Sequence, residues 1–287
     1  MEWRGRRQSS NVEDRRGRPV GRMAVGGGIG TLVIAFLFMF LTGDPTPVLQ
    51  SIPQVAAPGP SQQAAGPYQE TAAEAELSQF VKVVLAETED VWNGVFRENG
   101  AQYRPPVLVL YTQATESACG VGQAAMGPFY CPADQRVFLD LSFFAEMQQK
   151  LGAGGDFAYA YVVAHEVGHH VQNLLGISTK VREMQQRVGE REANQLSVRL
   201  ELQADCFAGV WARRMEARQR TLEPGDVEEA MAAASAVGDD RLQKSARGYA
   251  VPDSFTHGSS AQRMRWFQEG FRSGNIESCD TFGAREI

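Results

Sequence analysis

Histidine is scarce in this sequence. Four histidines occur in 287 residues, and three of them, His165, His169 and His170, lie in one short stretch. The fourth, His257, stands alone in the C-terminal third. Cysteine is equally sparse, and the spacings of the four cysteines match no four-cysteine zinc site. A metal site of that type is excluded, so a metal centre would have to use the histidine cluster.

An overall excess of positive charge is also absent. The net charge is −6, although the first 22 residues carry seven arginines against three acidic residues. The rest of the chain is therefore clearly acidic. A basic tail beside an acidic body argues against nucleic acid as the main partner of the folded part. We expect no nucleic-acid binding.

One long run has no charge at all. Residues 23–43, MAVGGGIGTLVIAFLFMFLTG, would span about 30 Å as a helix, the thickness of the hydrocarbon layer of a bilayer. This pattern predicts one transmembrane helix and contact with the lipid bilayer. By the positive-inside rule, residues 1–22 form a basic cytoplasmic tail and the chain after the helix is extracytoplasmic, either periplasmic or extracellular. The alternatives are a cleaved signal peptide and a buried core helix.

The stretch after this run, residues 44–69, is rich in Pro, Ala and Gln and has little to bury. It is typical of a flexible linker. The folded domain is expected over residues 70–287, in the cell envelope and tethered by a single-pass anchor. Its length and its 43% hydrophobic content are sufficient for one sizeable core.

The four cysteines fit an exported domain. Cys119 and Cys131 flank a glycine-rich loop, and a bridge between them would close a short loop. Cys206 and Cys279 could then pair and tie the C-terminal tail to the middle of the domain. Reduced core thiols are the alternative, because connectivity cannot be deduced from sequence.

The histidine cluster lies in residues 156–176, DFAYAYVVAHEVGHHVQNLLG, an apolar stretch that predicts a helix. His165 and His169 are four residues apart, so they project from one face and can bind one ion. Glu166 flanks that face, where its carboxylate could act as a general base on a water molecule. His170 is rotated away and is interpreted as a polar neighbour. The His-Glu-x-x-His pattern therefore predicts a zinc hydrolase, whereas the alternative is a pair of hydrogen-bonded core histidines.

Zinc usually needs a third protein ligand in a catalytic site. Residues 192–218 predict a long helix, and Glu201 and Asp205 lie one turn apart on it. Two acidic groups at this spacing repel each other unless a cation or a donor lies opposite. We therefore expect Glu201 to be the third ligand and Asp205 to orient a metal-bound imidazole, most simply that of His165.

The remaining pattern predicts an α+β fold of zincin type, mostly helical with a small β-sheet and preceded by the membrane helix. Asp156 is the expected cap of the histidine helix and Gly176 its end. Two apolar runs with β-type residues predict strands, and the periodic segments predict further helices. The strands are 107–111 and 136–141, and the helices are 71–96, one starting at 142, one starting at 226 and 261–272.

His257 lies in a loop before the last helix. A loop histidine from a distant segment is a reasonable donor to the oxyanion that forms when water attacks a peptide carbonyl. Arg263, one turn into the next helix, competes for this role. Alternatively, His257 has a structural role only and stabilises its own loop.

Three blocks of sequence together resemble the bacterial putative neutral zinc metallopeptidase family. They are AYVVAHEVGHHVQ, RLELQADCFAGVWA and SFTHGSSAQRMRWFQEGF. The resemblance covers the whole chain and implies a membrane-anchored protein with a gluzincin-type metal motif. It also implies that His165, His169 and Glu201 bind zinc and that Glu166 is the catalytic acid and base.

These observations predict a zinc metallopeptidase with one Zn²⁺ per chain and a peptide or protein as substrate. Glu166 would take a proton from the attacking water and deliver it to the leaving amine. A non-catalytic, zinc-stabilised extracytoplasmic interaction module is the alternative, and a hydrolase of another bond type is the third possibility. An intact Glu166 favours catalysis over the interaction module.

Overall fold

A computed structural model of the protein describes residues 1–18 and 68–287. Within these residues the chain forms eight α-helices and six β-strands, so the fold is a mostly helical α+β arrangement. The helices are α1 (Ala72–Glu98), α2 (Ser142–Leu151), α3 (Asp156–Leu174), α4 (Ile177–Gln185), α5 (Glu190–Gln219), α6 (Asp226–Ala236), α7 (Asp239–Arg247) and α8 (Ser260–Ser273). The strands are β1 (Val12–Asp14), β2 (Val107–Tyr111), β3 (Ala114–Ser117), β4 (Gly120–Gln123), β5 (Phe129–Cys131) and β6 (Arg136–Asp140).

The main sheet has four strands in the order β1-β2-β6-β5. The two strands predicted from sequence, β2 and β6, lie side by side at its centre and run parallel. Their apolar runs are buried almost throughout, as expected for central strands. Strand β5 closes one edge in antiparallel orientation, and β3 and β4 form a separate hairpin.

Residues 1–18, most of the predicted basic tail, pack onto the domain. Strand β1 pairs in parallel with β2, and Val12 lies opposite Leu108. Trp3 is buried, and its ring centre lies 5.4 Å from that of Phe80 in α1. Over these residues the predicted separate tail is therefore incorrect, because the segment supplies a strand and part of the core.

The arginines of this segment explain the discrepancy. Arg6 lies 3.1 Å from the carboxylate of Glu87, and Arg7 lies 2.9 Å from that of Glu89. Both acidic residues are on the buried side of α1. A basic N-terminal cluster is typical of a solvated tail, whereas here its charges complement acidic groups that are distant in sequence.

The transmembrane helix predicted for residues 23–43 lies outside the described residues. Among the residues that are described, no helix combines the length and the apolar character needed to cross a bilayer. The predicted fold class is therefore corrected to a mostly helical α+β fold with small sheets, without support for a preceding membrane helix.

The described segments on either side of residues 19–67 meet each other. The guanidinium of Arg16 lies 5.2 Å from the ring centre of Tyr68 and 2.6 Å from the carboxylate of Glu70.

Helix α3 lies in the interior of the domain. It contacts α1, α5 and α6, and it also contacts β5 and β6. Phe157, Tyr161, Val167 and Val171 of this helix are at most 1% exposed. The apolar stretch around the histidine motif therefore forms a central, well-packed helix, as predicted.

The ends of α3 differ in how well they were predicted. The helix ends as expected, because Gly176 has a φ of 73°, the left-handed conformation that glycine adopts easily after a helix. Asp156 is the first helical residue and not the cap, which is Gly155. A carboxylate oxygen of Glu229 instead lies 3.1 Å from the backbone nitrogen of Phe157 and accepts its hydrogen bond.

Helices α5 and α8 approach so closely that only glycine fits between them. A Cβ added to Gly209 would lie 2.1 Å from the carbonyl oxygen of Phe267, and one added to Gly270 would also meet the α5 backbone. Gly168 has more room, with 3.0 Å to the carbonyl oxygen of Ala204.

Two disulfides join the chain in the predicted pairs. Cys119 is bonded to Cys131 and ties the β3–β4 hairpin to strand β5. Cys206 in α5 is bonded to Cys279 and holds the C-terminal segment against the centre of the domain. The alternative of reduced core thiols is therefore wrong for this structure.

Candidate metal centre

Three predicted ligands converge at one point. His165 and His169 project from one face of α3, and Glu201 faces them from α5. The Nε2 atom of His165 lies 3.3 Å from one carboxylate oxygen of Glu201, and the Nε2 atom of His169 lies 3.4 Å from the other. Candidate donor atoms of these residues all lie within 4.8 Å of one another.

These separations suit a zinc ion. Zinc bonds of about 2.0–2.2 Å in a tetrahedral arrangement place adjacent donor atoms about 3.3–3.6 Å apart. The two nitrogen–oxygen distances of 3.3 and 3.4 Å match that spacing. Two imidazoles and one carboxylate are also a typical protein ligand set for catalytic zinc. The chemistry and spacing of these donors therefore fit the metal that the sequence predicts.

The charge of Glu201 is strongly favoured. Its burial opposes ionisation, but the neighbouring His169 and His165 hold the pKa of the Glu201 carboxyl well below its ordinary value. Burial would likewise lower the pKa of His165, yet Asp205 and Glu201 raise it to about 9. A metal therefore has to displace a proton from His165, and zinc affinity should increase with pH.

Behind His165 lies a buried polar network. Its Nδ1 atom is 2.9 Å from Asp205, as predicted, so Nδ1–H donates to the carboxylate and Nε2 is left for a metal. Arg263 from α8 makes two hydrogen bonds to the same carboxylate, at 2.8 and 2.9 Å. The hydroxyl of Tyr161 donates to it at 2.5 Å. Burial would raise the pKa of Asp205, but Arg263 and His165 lower it.

This network rules out one predicted alternative. Arg263 was a candidate donor to a reaction oxyanion, but its guanidinium is buried and engaged by Asp205 and Tyr161. It points behind His165. Its role is to keep the Asp205 carboxylate ionised and in place.

The second candidate ligand, His169, has a neutral partner. The Nδ1 atom of His169 lies 2.9 Å from the side-chain oxygen of Gln172, one turn later on α3. Gln172 is in turn bonded to Gln203 of α5 at 3.2 Å. Sequence reasoning missed these glutamines and Tyr161. Tyr161 and Gln172 each lie one turn from a histidine on α3, and this spacing was the available sequence signal for them.

Glu166 lies beside the ligands on α3 and is 9% exposed. Burial raises the pKa of its carboxyl, and the neighbouring imidazoles of His169 and His165 counteract only part of that effect. Within residues 1–18 and 68–287, no hydrogen bond engages its side chain. Such a carboxylate is free to accept a proton from a molecule that enters the site.

His257 is brought to this region from the loop before α8. Its charge is close enough to Glu201 to contribute to the lowered pKa of that carboxyl. The Nδ1 atom lies 3.3 Å from Asp239, and the other Asp239 oxygen accepts the backbone N–H of His257 at 2.6 Å. Burial alone would lower the pKa of His257, but Asp239 and Glu201 raise it. The loop therefore holds the imidazole and favours its charged form.

His170 lies on another face of α3. Its Nδ1 atom is 3.0 Å from the hydroxyl of Tyr130 in β5, and its Nε2 atom is 2.6 Å from the carbonyl oxygen of Arg104. Burial lowers its pKa to about 4, so the ring is neutral at pH 7. His170 joins the metal helix to the sheet, in agreement with its interpretation as a polar neighbour.

A second group of acidic side chains lies at the other end of α3. Asp156, Asp226 and Glu229 bring carboxylate oxygens within 4.8 Å of one another. The α-ammonium group of Met1 lies 2.6 Å from Asp156 and 3.3 Å from Asp226. It also lies 3.0 Å from Glu223. This group already has a buried cation as its partner.

Comparison with known proteins agrees with this geometry. The family described as "Putative neutral zinc metallopeptidase" matches residues 1–282. The chain is 50% identical over 292 residues to the Escherichia coli K12 protein named "Uncharacterized protein YpfJ", covering 99% of each chain. It is 40% identical over 223 residues to "Uncharacterized protein Rv2575" of Mycobacterium tuberculosis H37Rv, covering 74% of each. No solved structure matches the chain. With most of its length matched, the chain belongs to the putative neutral zinc metallopeptidase family.

Proposed function

We propose that this protein is a zinc-dependent peptidase that binds one Zn²⁺ per chain through His165, His169 and Glu201. The observation that carries the proposal is the convergence of these three side chains from α3 and α5 beside the buried Glu166. A structural zinc site would have four protein ligands, no open coordination position and no need for a neighbouring base. The free carboxylate next to a three-ligand set supports hydrolysis.

When bound, zinc supplies a Lewis acid that polarises a carbonyl group and makes water more acidic. Glu166 accepts the proton of the attacking water, because its carboxylate is adjacent to the ligands and its raised pKa suits proton transfer. Glu166 then delivers the proton to the nitrogen of the leaving amine. His165 and His169 stay neutral and correctly turned through their bonds to Asp205 and Gln172.

His257 is proposed to stabilise the negative oxygen that develops on the attacked carbonyl. Asp239 accepts hydrogen bonds from its backbone and faces its Nδ1 atom, so the imidazole has a fixed position and a raised pKa. A positively charged imidazole is a suitable donor to an oxyanion. Arg263 does not compete, since its guanidinium is bound to Asp205.

The test is hydrolysis of an unfolded protein, such as denatured casein, by the full chain with and without zinc. Glu166→Gln should retain zinc and lose peptidase activity by about 100- to 10,000-fold, the usual contribution of a general base. Glu183→Gln, at an exposed position on α4, is the matched control and should remain active.

Three outcomes are decisive. Undiminished activity of Glu166→Gln overturns the mechanism. A wild-type chain that binds zinc but cleaves no peptide in a broad library is instead an interaction module or a hydrolase of another bond. A wild-type chain that binds no zinc overturns the proposed metal centre itself.

We also propose that the domain functions in an oxidising, extracytoplasmic compartment. The support is the pair of disulfides, Cys119–Cys131 and Cys206–Cys279, since disulfides persist mainly in such compartments. Alkylation of free thiols at the moment of cell lysis should leave all four cysteines unlabelled. Labelling of both pairs in protein from its native host would contradict this location.

A further inference from the structure

The orientation of His169 depends on an amide side chain. The Nδ1 atom of its ring lies 2.9 Å from the Oε1 atom of Gln172. An amide oxygen can only accept a hydrogen bond, so Nδ1 has to carry the proton. The lone pair of the neutral ring is then on Nε2, the atom that faces Glu201 at 3.4 Å.

The partners of Gln172 determine which way its amide is turned. The Nε2 atom of Gln172 lies 2.6 Å from the carbonyl oxygen of Leu200 and 3.2 Å from the Oε1 atom of Gln203. Both neighbours are acceptors, so the amide nitrogen has to point toward them. The oxygen of Gln172 is therefore the atom that faces His169.

The same reasoning determines the orientation of the Gln203 amide. Its Nε2 atom lies 3.0 Å from the carbonyl oxygen of Cys279, so its oxygen faces Gln172. Cys279 is held by its disulfide to Cys206. Each donor thus points the same way, from His169 through the two amides to the carbonyl oxygen of Cys279 in the C-terminal segment.

The burial of both amides makes this arrangement rigid. Gln172 is 0% exposed and Gln203 is 6% exposed. Turning either amide over would place a buried carbonyl against an acceptor and leave a donor without a partner, which is costly away from water. The network therefore has a single satisfied orientation.

We propose that Gln172, supported by Gln203, is a positioning residue that holds His169 in the tautomer required for binding zinc. The two metal histidines are then oriented by different chemistry: an anionic carboxylate at His165 and a neutral amide at His169. This proposal rests on the proposed zinc site and adds the C-terminal segment to the elements that form it.

The experiment measures the zinc affinity of the full chain by competition with a chromogenic chelator. Gln172→Leu removes the acceptor with little change in volume, and zinc affinity should fall by about 10- to 100-fold, the range seen when an outer partner of a ligand is lost. The matched control is Gln185→Leu. Gln185 also bridges two helices, with bonds to Ala193 at 3.1 Å and Ser197 at 2.8 Å, but touches no metal ligand.

A second variant and a spectroscopic measurement keep the proposal testable even if Gln172→Leu misfolds. Gln203→Leu leaves the bond between Gln172 and His169 and should weaken zinc binding by only a few-fold, less than Gln172→Leu does. In the wild-type protein, nitrogen NMR should show His169 protonated at Nδ1. In Gln172→Leu, both tautomers should be populated.

The outcomes separate this proposal from the zinc site itself. If the wild-type chain binds no zinc, the proposed function fails. If it binds zinc and Gln172→Leu binds equally well, only the positioning role is overturned. If Gln172→Leu does not fold, an Nε2-protonated His169 in the wild-type protein, or Gln203→Leu with unchanged affinity, still overturns it.

Discussion

The two ends of helix α3 carry similar clusters with different partners. At its start, Asp156 meets Asp226 and Glu229, and in its second half His165 and His169 meet Glu201. Each group satisfies a simple distance criterion for a metal site. At the start of the helix, however, the ammonium group of Met1 is 2.6 Å from Asp156.

The difference shows that proximity of ligands does not define a metal site. Asp156 and Asp226 at the start of α3 are paired with a buried cation from the protein itself. In the second half of the helix, the outer nitrogens of His165 and His169 are bonded to Asp205 and Gln172. These bonds leave both Nε2 atoms facing Glu201, so the donors are arranged before a metal arrives.

The most direct test of the difference between the two clusters is to replace one carboxylate in each with a neutral amide. Glu201→Gln should lose about 4 kcal/mol of zinc binding, roughly 1,000-fold in affinity, because one of three ligands is gone from a site worth on the order of 10 kcal/mol or more. Glu229→Gln is the matched change at the other cluster and should leave zinc affinity unchanged. Chelator competition measures both.

A large effect of Glu229→Gln on zinc affinity, equal to that of Glu201→Gln, would contradict this assignment. It would mean that the acidic cluster takes the metal. Retention of the wild-type affinity by Glu201→Gln would exclude Glu201 as a ligand.

Helix packing near the metal centre gives the next largest effect. Gly209→Ala should lower the free energy of unfolding by about 3 kcal/mol, since the new Cβ would meet the carbonyl oxygen of Phe267 at 2.1 Å and push α8 away. Gly168→Ala is the control and should cost less than about 1 kcal/mol, because its neighbour is 3.0 Å away and alanine favours the helix. Denaturant unfolding measures both.

The displaced α8 should also carry Arg263 away from Asp205. We therefore expect Gly209→Ala to weaken zinc binding as well, whereas Gly168→Ala should not. Equal stabilities of the two variants would show that the close approach of α5 and α8 is not required.

The smallest effect concerns pH at the start of α3. Burial alone would lower the pKa of the Met1 ammonium, but bonds to Asp156 and Glu223 raise it from 8.0 to about 10. The stabilisation is complete below pH 8 and is lost as the pH rises through 10. The free energy of unfolding should therefore fall by about 1–2 kcal/mol between pH 7 and pH 10, a value reduced because Glu223 is half exposed.

An N-terminally acetylated chain is the control for this prediction, because it has no ammonium group to titrate. Its free energy of unfolding should not show this decrease of about 1–2 kcal/mol between pH 7 and pH 10. An identical pH dependence of both chains in denaturant unfolding would show that the ammonium contributes nothing.

The candidate site was largely predictable because its ligands are marked by short-range spacing. His165 and His169 are one turn apart on a strongly apolar helix, and Glu201 and Asp205 are one turn apart on the next long helix. Helical periodicity alone places each pair on one face. The positions of Gln203 and Arg263 behind these faces depend on how α5 and α8 pack, which no local pattern encodes.

The N-terminal region was the least predictable part of the fold. Local composition separates an arginine-rich segment, residues 1–18, from the acidic domain. The structure instead pairs Arg6 with Glu87 and Arg7 with Glu89 across more than 80 positions of sequence. Charge complementarity over such distances depends on the final position of α1, so composition could not reveal it.

The sequence by itself determined the histidine helix and the central strands and indicated the candidate metal ligands, because each follows from repeats of two or four residues. Only the tertiary structure decided which cluster on α3 is available to a cation and which is already occupied by Met1. It also decided that the guanidinium of Arg263 is bound to the buried Asp205 carboxylate behind His165. Such choices are made by partners from distant segments, whose positions are set by the packing of the whole core.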